Sequence, residues 1–166
     1  HYVINRDDFI FIDGLFEALK IFQKNDYKLI VITNQSGIAR GYFKEQQFFE
    51  LTEWMVDQFA LQNIRITDVY HCPYLESASV SRYKKASYLR KPEPGMIIDA
   101  CRDHNIDPAN SILVGDKESD IISGQRAGVG KCYLITESID HNFTNNKPDG
   151  VFKDLLQVAN YISNTF

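Results

Sequence analysis

The chain has 166 residues, 44% hydrophobic and 24% charged, a length and composition that fit one globular domain with one core and exclude a second. Its net charge is -4, and its 18 Lys and Arg residues are spread along the chain apart from Arg82-Tyr83-Lys84-Lys85, so a nucleic-acid surface is not expected. Cys72, Cys101 and Cys132 are widely spaced without a CxxC pair, which argues against a disulfide framework and a classical thiolate zinc site; with no signal-peptide pattern and no apolar run near the ~20 residues of a bilayer span, a reducing cytosol away from membranes is expected.

In chain order, Gly14 to Phe22 places Leu15, Leu19 and Phe22 at the i, i+4, i+7 spacing of an amphipathic helix, with Asp13 as its expected N-cap. Leu29 to Ile32 predicts a buried strand. Lys44 to Gln62 predicts a second helix with Phe48, Leu51, Met55 and Phe59 on one face, and Asp68 to Cys72 a short strand. Residues 73 to 90 form an irregular polar insertion. Pro94 to His104 is again helical, with Met96, Ile97, Ala100 and Cys101 inward. Ser111 to Val114 is a strand, Ser119 to Ala127 a helix closed by Gly128, and Lys131 to Ile135 a strand; Asp149 to Phe152 gives a last strand before a C-terminal helix. Strands alternating with helices imply an α/β fold, a doubly wound parallel sheet covered on both faces. Neither an internal repeat nor a low-complexity segment interrupts it.

In such sheets ligands bind at the carboxyl ends of the strands. Thr33-Asn34-Gln35-Ser36-Gly37 follows the first apolar strand, and its hydroxyls, amides and the N–H groups of a following helix start form a donor cluster suited to phosphate, or else a plain turn with a helix cap. Arg90-Lys91-Pro92 reaches the same edge. The proline keeps Lys91 extended and out of the helix it introduces, where its ammonium could neutralise a phosphoryl group and a carboxylate together. In Val114-Gly115-Asp116-Lys117-Glu118-Ser119-Asp120, a strand tip carries Asp116, placed to hold Mg2+ with water and substrate oxygens, while Asp120 could orient Asp116 or its waters. A capping pair at a helix start is the plainer reading of the two carboxylates.

Thr33, Arg90-Lys91-Pro92 and Gly115 to Asp120 resemble motifs two, three and four of the haloacid dehalogenase superfamily of phosphotransferases. The longer stretches Thr33 to Gly41 and Arg90-Lys91-Pro92 are similar to the branch containing D-glycero-D-manno-heptose 1,7-bisphosphate phosphatase and histidinol phosphatase, over essentially the whole chain from Tyr2. The resemblance implies a doubly wound parallel sheet without a large cap domain and Mg2+-dependent hydrolysis of a phosphomonoester through an aspartyl-phosphate. By position it implies that Tyr2, Thr33, Asn34, Gln35, Ser36, Arg90, Lys91 and Lys117 contact phosphate or substrate, that Lys91 neutralises charge, and that Asp116 binds Mg2+ with Asp120 behind it. The substrate it implies is a small sugar phosphate, first a heptose bisphosphate losing its 7-phosphate and second histidinol phosphate, handled by a cytosolic monomer.

The first family motif, an apolar strand ending in Asp-x-Asp, occurs nowhere in the 166 residues. Phe9-Ile10-Phe11-Ile12-Asp13 imitates its first half, but two positions on stands Leu15, which cannot shuttle a proton. In the family that strand is central, between the strands ending at Thr33 and at Asp116. Leaving its partners unpaired costs ~1–3 kcal/mol per buried backbone group, which over some five residues approaches the ~5–15 kcal/mol stability of a domain. The sequence, which lacks an initiator Met, is therefore expected to be a fragment missing an N-terminal strand; a protein that keeps the phosphate cradle but has lost its nucleophile is the other reading. Members of the branch often hold zinc in the insertion through Cys-x-His and Cys-x-Cys. Here the frame reads Cys72-Pro73-Tyr74 and Ser87-Tyr88-Leu89, with His71 on the opposite side of the strand from Cys72. No zinc is expected, and the loop is expected either to be held by packing of Tyr74, Tyr83, Tyr88 and Leu89 or to be mobile.

Overall fold

The computed structural model describes residues 2–138 and 146–165. After an extended N-terminal segment, α1 spans Leu15–Lys24, β1 Leu29–Asn34, a single turn α2 Ser36–Ala39, α3 Glu45–Leu61 and β2 Ile66–Cys72. The insertion has one 3-10 turn, Ser81–Tyr83; then come α4 Gly95–His104, β3 Ile112–Gly115, α5 Glu118–Arg126, β4 Lys131–Ile135, β5 Gly150–Phe152 and α6 Leu155–Thr165. Every strand pairing is parallel, as the alternation of elements predicts.

Among the described residues the strands do not form one continuous sheet. β1 pairs with β2 from Leu29↔Ile66 to Asn34↔Cys72, while β3, β4 and β5 form a separate set with Ile112↔Lys131 and Tyr133↔Gly150 in register. Between them runs a groove of about 430 Å³, walled by Leu29 to Ile32 of β1 and Ile112 to Gly115 of β3. The groove explains a departure from the expected burial: in β1 only Leu29 is buried, and the other five residues are half-buried despite the apolar run. α1, α6 and α3 close one side with Leu19, Phe22, Leu155 and Phe59, and α4 closes the other with Ile97 and Ala100.

Three packed clusters hold the halves. Ala18, Phe22, Phe59, Val158, Ala159 and Ile162 join α1, α3 and α6 over Leu29 and Tyr133. Ile97, Leu113, Ile121, Cys132 and Leu134 join α4 and α5 to β3 and β4. Ile38, Ala39, Phe43, Phe48, Ala78 and Tyr83 join the insertion to α2 and α3. At the entry to α1 the sequence expectation fails. The helix is preceded by Gly14 in the left-handed region (φ 74°), with no side-chain cap, and Asp13 is exposed. Gly14 lies where a Cβ would crowd Leu156 of α6, so close helix packing and not a capping carboxylate sets this boundary.

Candidate active site

The carboxyl ends of β1 and β3 face each other across the groove, and Lys91 spans them. Its Nζ donates to the carbonyl of Ile32 on β1 at 3.1 Å and lies 2.7 Å from Oδ1 of Asp120 in the first turn of α5. Both side chains are nearly inaccessible, 13% and 7% exposed, so this is a buried, charge-assisted contact and not a surface pair. Asp120 also accepts from the backbone N–H of Lys117 through Oδ2 at 3.0 Å. Gly115 allows this approach, since a Cβ there would collide with the Asp120 side chain.

Lys91 is placed from behind by Asn34. The Asn34 amide donates to the Lys91 carbonyl at 3.0 Å and accepts from the Lys91 N–H at 3.1 Å, tying the tip of β1 to the Arg90-Lys91-Pro92 segment. Both ends of the amide are thereby occupied by main chain, so the geometry gives Asn34 the work of positioning Lys91. The neighbouring Gln35 donates from Nε2 to the Thr33 hydroxyl at 3.1 Å, and its own N–H donates to the Cys72 carbonyl at 2.8 Å. Tyr2 and Ser36 share a hydroxyl–hydroxyl bond of 3.2 Å, and the Tyr2 ring meets Tyr42 edge-on at 5.1 Å. A Cβ on Gly37 would strike both Phe43 and Tyr2, so Gly37 is what lets the N-terminal segment lie on this loop.

Arg90 is half-buried, and its Nη1 donates to the Tyr74 carbonyl of the insertion at 3.3 Å. Lys117 and Asp116 are exposed, and among the described residues no hydrogen bond or ion pair engages Asp116. A free carboxylate at a strand tip fits Mg2+ as one protein ligand of the few that this cation takes. Among the described residues no group of three His, Cys, Asp or Glu side chains could hold a metal on its own, so further oxygens must come from water, phosphate or another segment. Asp120, whose carboxylate faces Lys91 and the Lys117 N–H, takes the capping and ion-pairing part of the two roles its sequence position allows.

The insertion is held differently from the sequence expectation. Tyr83 is buried and Tyr74 and Leu89 half-buried, but Tyr88 is 57% exposed and contributes its carbonyl, which accepts from the Gly95 N–H at 3.0 Å. His71 and Cys72 do point apart: Cys72 is fully buried, and the His71 ring lies 4.6 Å from that of Phe48. The Asn34–Lys91 tie and a Glu45–His71–Tyr83 cluster escaped the sequence reading, because they join positions tens of residues apart and neither residue type nor spacing signals them.

A family model described as HAD-hydrolase-like matches residues 88–158. The D-glycero-alpha-D-manno-heptose-1,7-bisphosphate 7-phosphatase of Burkholderia mallei is 47% identical over 81% of this chain and 76% of its own length. The enzyme of the same name from Campylobacter jejuni is 39% identical over 96% of this chain and 86% of its own. Among solved structures, a D,D-heptose 1,7-bisphosphate phosphatase from B. bronchiseptica, crystallised with magnesium and phosphate, superposes with a TM-score of 0.84 at 24% identity, covering 99% of this chain and 90% of that one.

Proposed function

Because the chain belongs to the haloacid dehalogenase-type phosphatases, in the family of its heptose-bisphosphate 7-phosphatase relatives, we propose that it removes the 7-phosphate of D-glycero-D-manno-heptose 1,7-bisphosphate with Mg2+ as cofactor. The observation that carries the reading is the Lys91 bridge, a cation fixed between β1 and α5 at the mouth of the groove with the uncommitted carboxylate of Asp116 beside it. Asp120 holds the Lys91 ammonium in place, and its charge is held ready without side-chain reorganisation when a phosphoryl group arrives. Thr33, Ser36, Arg90 and Lys117 supply hydroxyl, guanidinium and ammonium donors around the phosphate, Tyr2 fixes Ser36, and Asn34 and Gln35 fix Lys91 and Thr33. Mg2+ would be held by Asp116 and would neutralise phosphoryl charge.

The attacking carboxylate has no counterpart among the 166 residues. We assign it to a further extended segment seated between β1 and β3, whose apolar walls and unpaired edges suit a parallel strand ending in Asp-x-Asp. Residues 1–166, with the insertion at 73–90, would then form one domain around that strand. The same absence supports a second reading, a phosphate-binding protein without turnover. Joining an N-terminal apolar Asp-x-Asp strand to the chain and assaying phosphate release from heptose bisphosphate and histidinol phosphate separates them. Mg2+-dependent release from the heptose bisphosphate is expected; binding with no release by the strand-bearing protein would leave only the second reading. We further propose that the protein works as a monomer in the cytosol on a small sugar phosphate, without nucleic acid or membrane; no helix among the described residues is long and apolar enough to cross a membrane.

A further inference from the structure

A polar cluster joins the insertion to α3 and β2, next to the frame in which members of the family branch often hold zinc. Glu45, the first residue of α3, accepts from the Tyr83 hydroxyl through Oε2 at 2.9 Å, and its Oε1 lies 3.0 Å from Nε2 of His71 at the end of β2. His71 is packed against Phe48 and meets Phe49 edge-on at 5.3 Å; Tyr83 is covered by the Arg82 guanidinium at 4.5 Å. From Tyr83 the order passes to Tyr74. The Leu75 N–H donates to the Tyr83 carbonyl at 3.1 Å, the two tyrosine rings lie 6.2 Å apart, and Lys85 Nζ sits 3.9 Å from the centre of the Tyr74 ring. The Tyr74 carbonyl then receives Arg90. The insertion also grips the phosphate loop, since the Ser79 and Val80 N–H groups both donate to the Ala39 carbonyl at the end of α2.

We infer that Glu45, His71 and Tyr83 form a metal-free clasp that positions Arg90 through the main chain of Tyr74, and so sets substrate affinity from outside the site. The inference rests on Arg90 contacting the substrate, as proposed above. Tyr83 is a positioning residue in this scheme: its hydroxyl donates to Glu45, while its ring fills the core between Ile38, Phe48 and Ala78. An Arg side chain has several rotatable bonds, and fixing it before substrate arrives removes an ordering cost from binding. Zinc, which would need more thiolate or imidazole ligands than Cys72 and His71 offer, has no part in it.

A double-mutant cycle tests the inference, with Kd for D-glycero-D-manno-heptose 1,7-bisphosphate measured by calorimetry on the full-length protein in EDTA, so that turnover does not consume the ligand. Tyr83→Phe keeps the ring and removes one hydrogen bond, and is expected to weaken binding about three- to tenfold. Arg90→Ala is expected to weaken it more, about ten- to a hundredfold. In the Arg90→Ala background Tyr83→Phe should have no further effect. Glu45→Gln, which keeps an acceptor for Tyr83 but removes the charge facing His71, should fall between wild type and Tyr83→Phe. An undiminished Tyr83→Phe effect without Arg90 would make the cluster a general prop and overturn the inference, as would unchanged Kd in Tyr83→Phe beside weakened binding in Arg90→Ala. Unchanged Kd in Arg90→Ala would instead remove Arg90 from the site, and the clasp's function with it.

Discussion

Asp120 and Lys91 depend on each other more than on anything else in the site. Removing Lys91 leaves a carboxylate that is 7% exposed with, among the described residues, the Lys117 N–H as its remaining hydrogen-bond donor. Breaking such a buried pair costs about 3–5 kcal/mol, more than an exposed salt bridge by a wide margin. Lys91→Met is therefore expected to lower stability by about that amount in denaturant titrations, whereas Lys91→Met combined with Asp120→Leu should recover much of it. Asp116 behaves oppositely, because it is exposed and engages nothing among the described residues. Asp116→Asn should leave the stability within about 0.5 kcal/mol of wild type and abolish Mg2+-dependent turnover in the strand-bearing protein. Near-normal turnover at limiting Mg2+ would remove Asp116 from the metal site.

At the scale of elements, the insertion's attachment to α3 and β2 should be sensitive to acid. Burial pushes the Glu45 carboxyl up, but the hydrogen bonds from His71 and Tyr83, with the charges of His71 and Arg82, outweigh it and leave the group below its ordinary value. A carboxyl lowered in the folded state adds stability that is complete above the unfolded value of about 4.3 and is lost as pH falls through the lower folded value. Limited proteolysis within residues 73–90 should thus accelerate below about pH 4, and Glu45→Gln should remove that step; a rate flat with pH in wild type would show the clasp to be held by packing alone. The elements themselves were readable. The i, i+4, i+7 spacing of Leu15, Leu19 and Phe22 and the Phe48-to-Phe59 face depend on local periodicity, and the helices and strands lie where that periodicity puts them. The start of α1 was not readable from Asp13, because the contact that fixes Gly14 comes from Leu156, far along the chain.

For the whole molecule, the absence of an Asp-x-Asp pattern was visible in the sequence, and a groove runs between β1 and β3. That Thr33, Lys91 and Asp116 come to the same edge of the strands was legible, because their residue types sit at strand ends and before a proline. The ties that hold this edge together, Asn34 to Lys91 and Lys91 to Ile32, run between main chain and side chain across distant segments and leave no local signature. With two unpaired edges facing a groove, residues 1–166 expressed alone should associate or precipitate, and an added apolar strand should yield a monomer in sedimentation. A cooperative monomer from these residues alone would refute the assignment of the groove to a strand. Metal analysis should find no stoichiometric zinc, and chelators should leave the melting temperature unchanged.

The groove also fixes how a strand's completion of the site would scale with concentration. A strand supplied as a separate peptide must reach the site by collision, so its occupancy follows its concentration, whereas one joined by a short linker meets β1 and β3 at an effective concentration of about millimolar whatever the dilution. Activity regained from the two-piece form should vanish on dilution and that of the joined form should not. The gap between two half-sheets would then work as an AND gate, in which one signal is the folded body and the other is a chain end arriving at its seat.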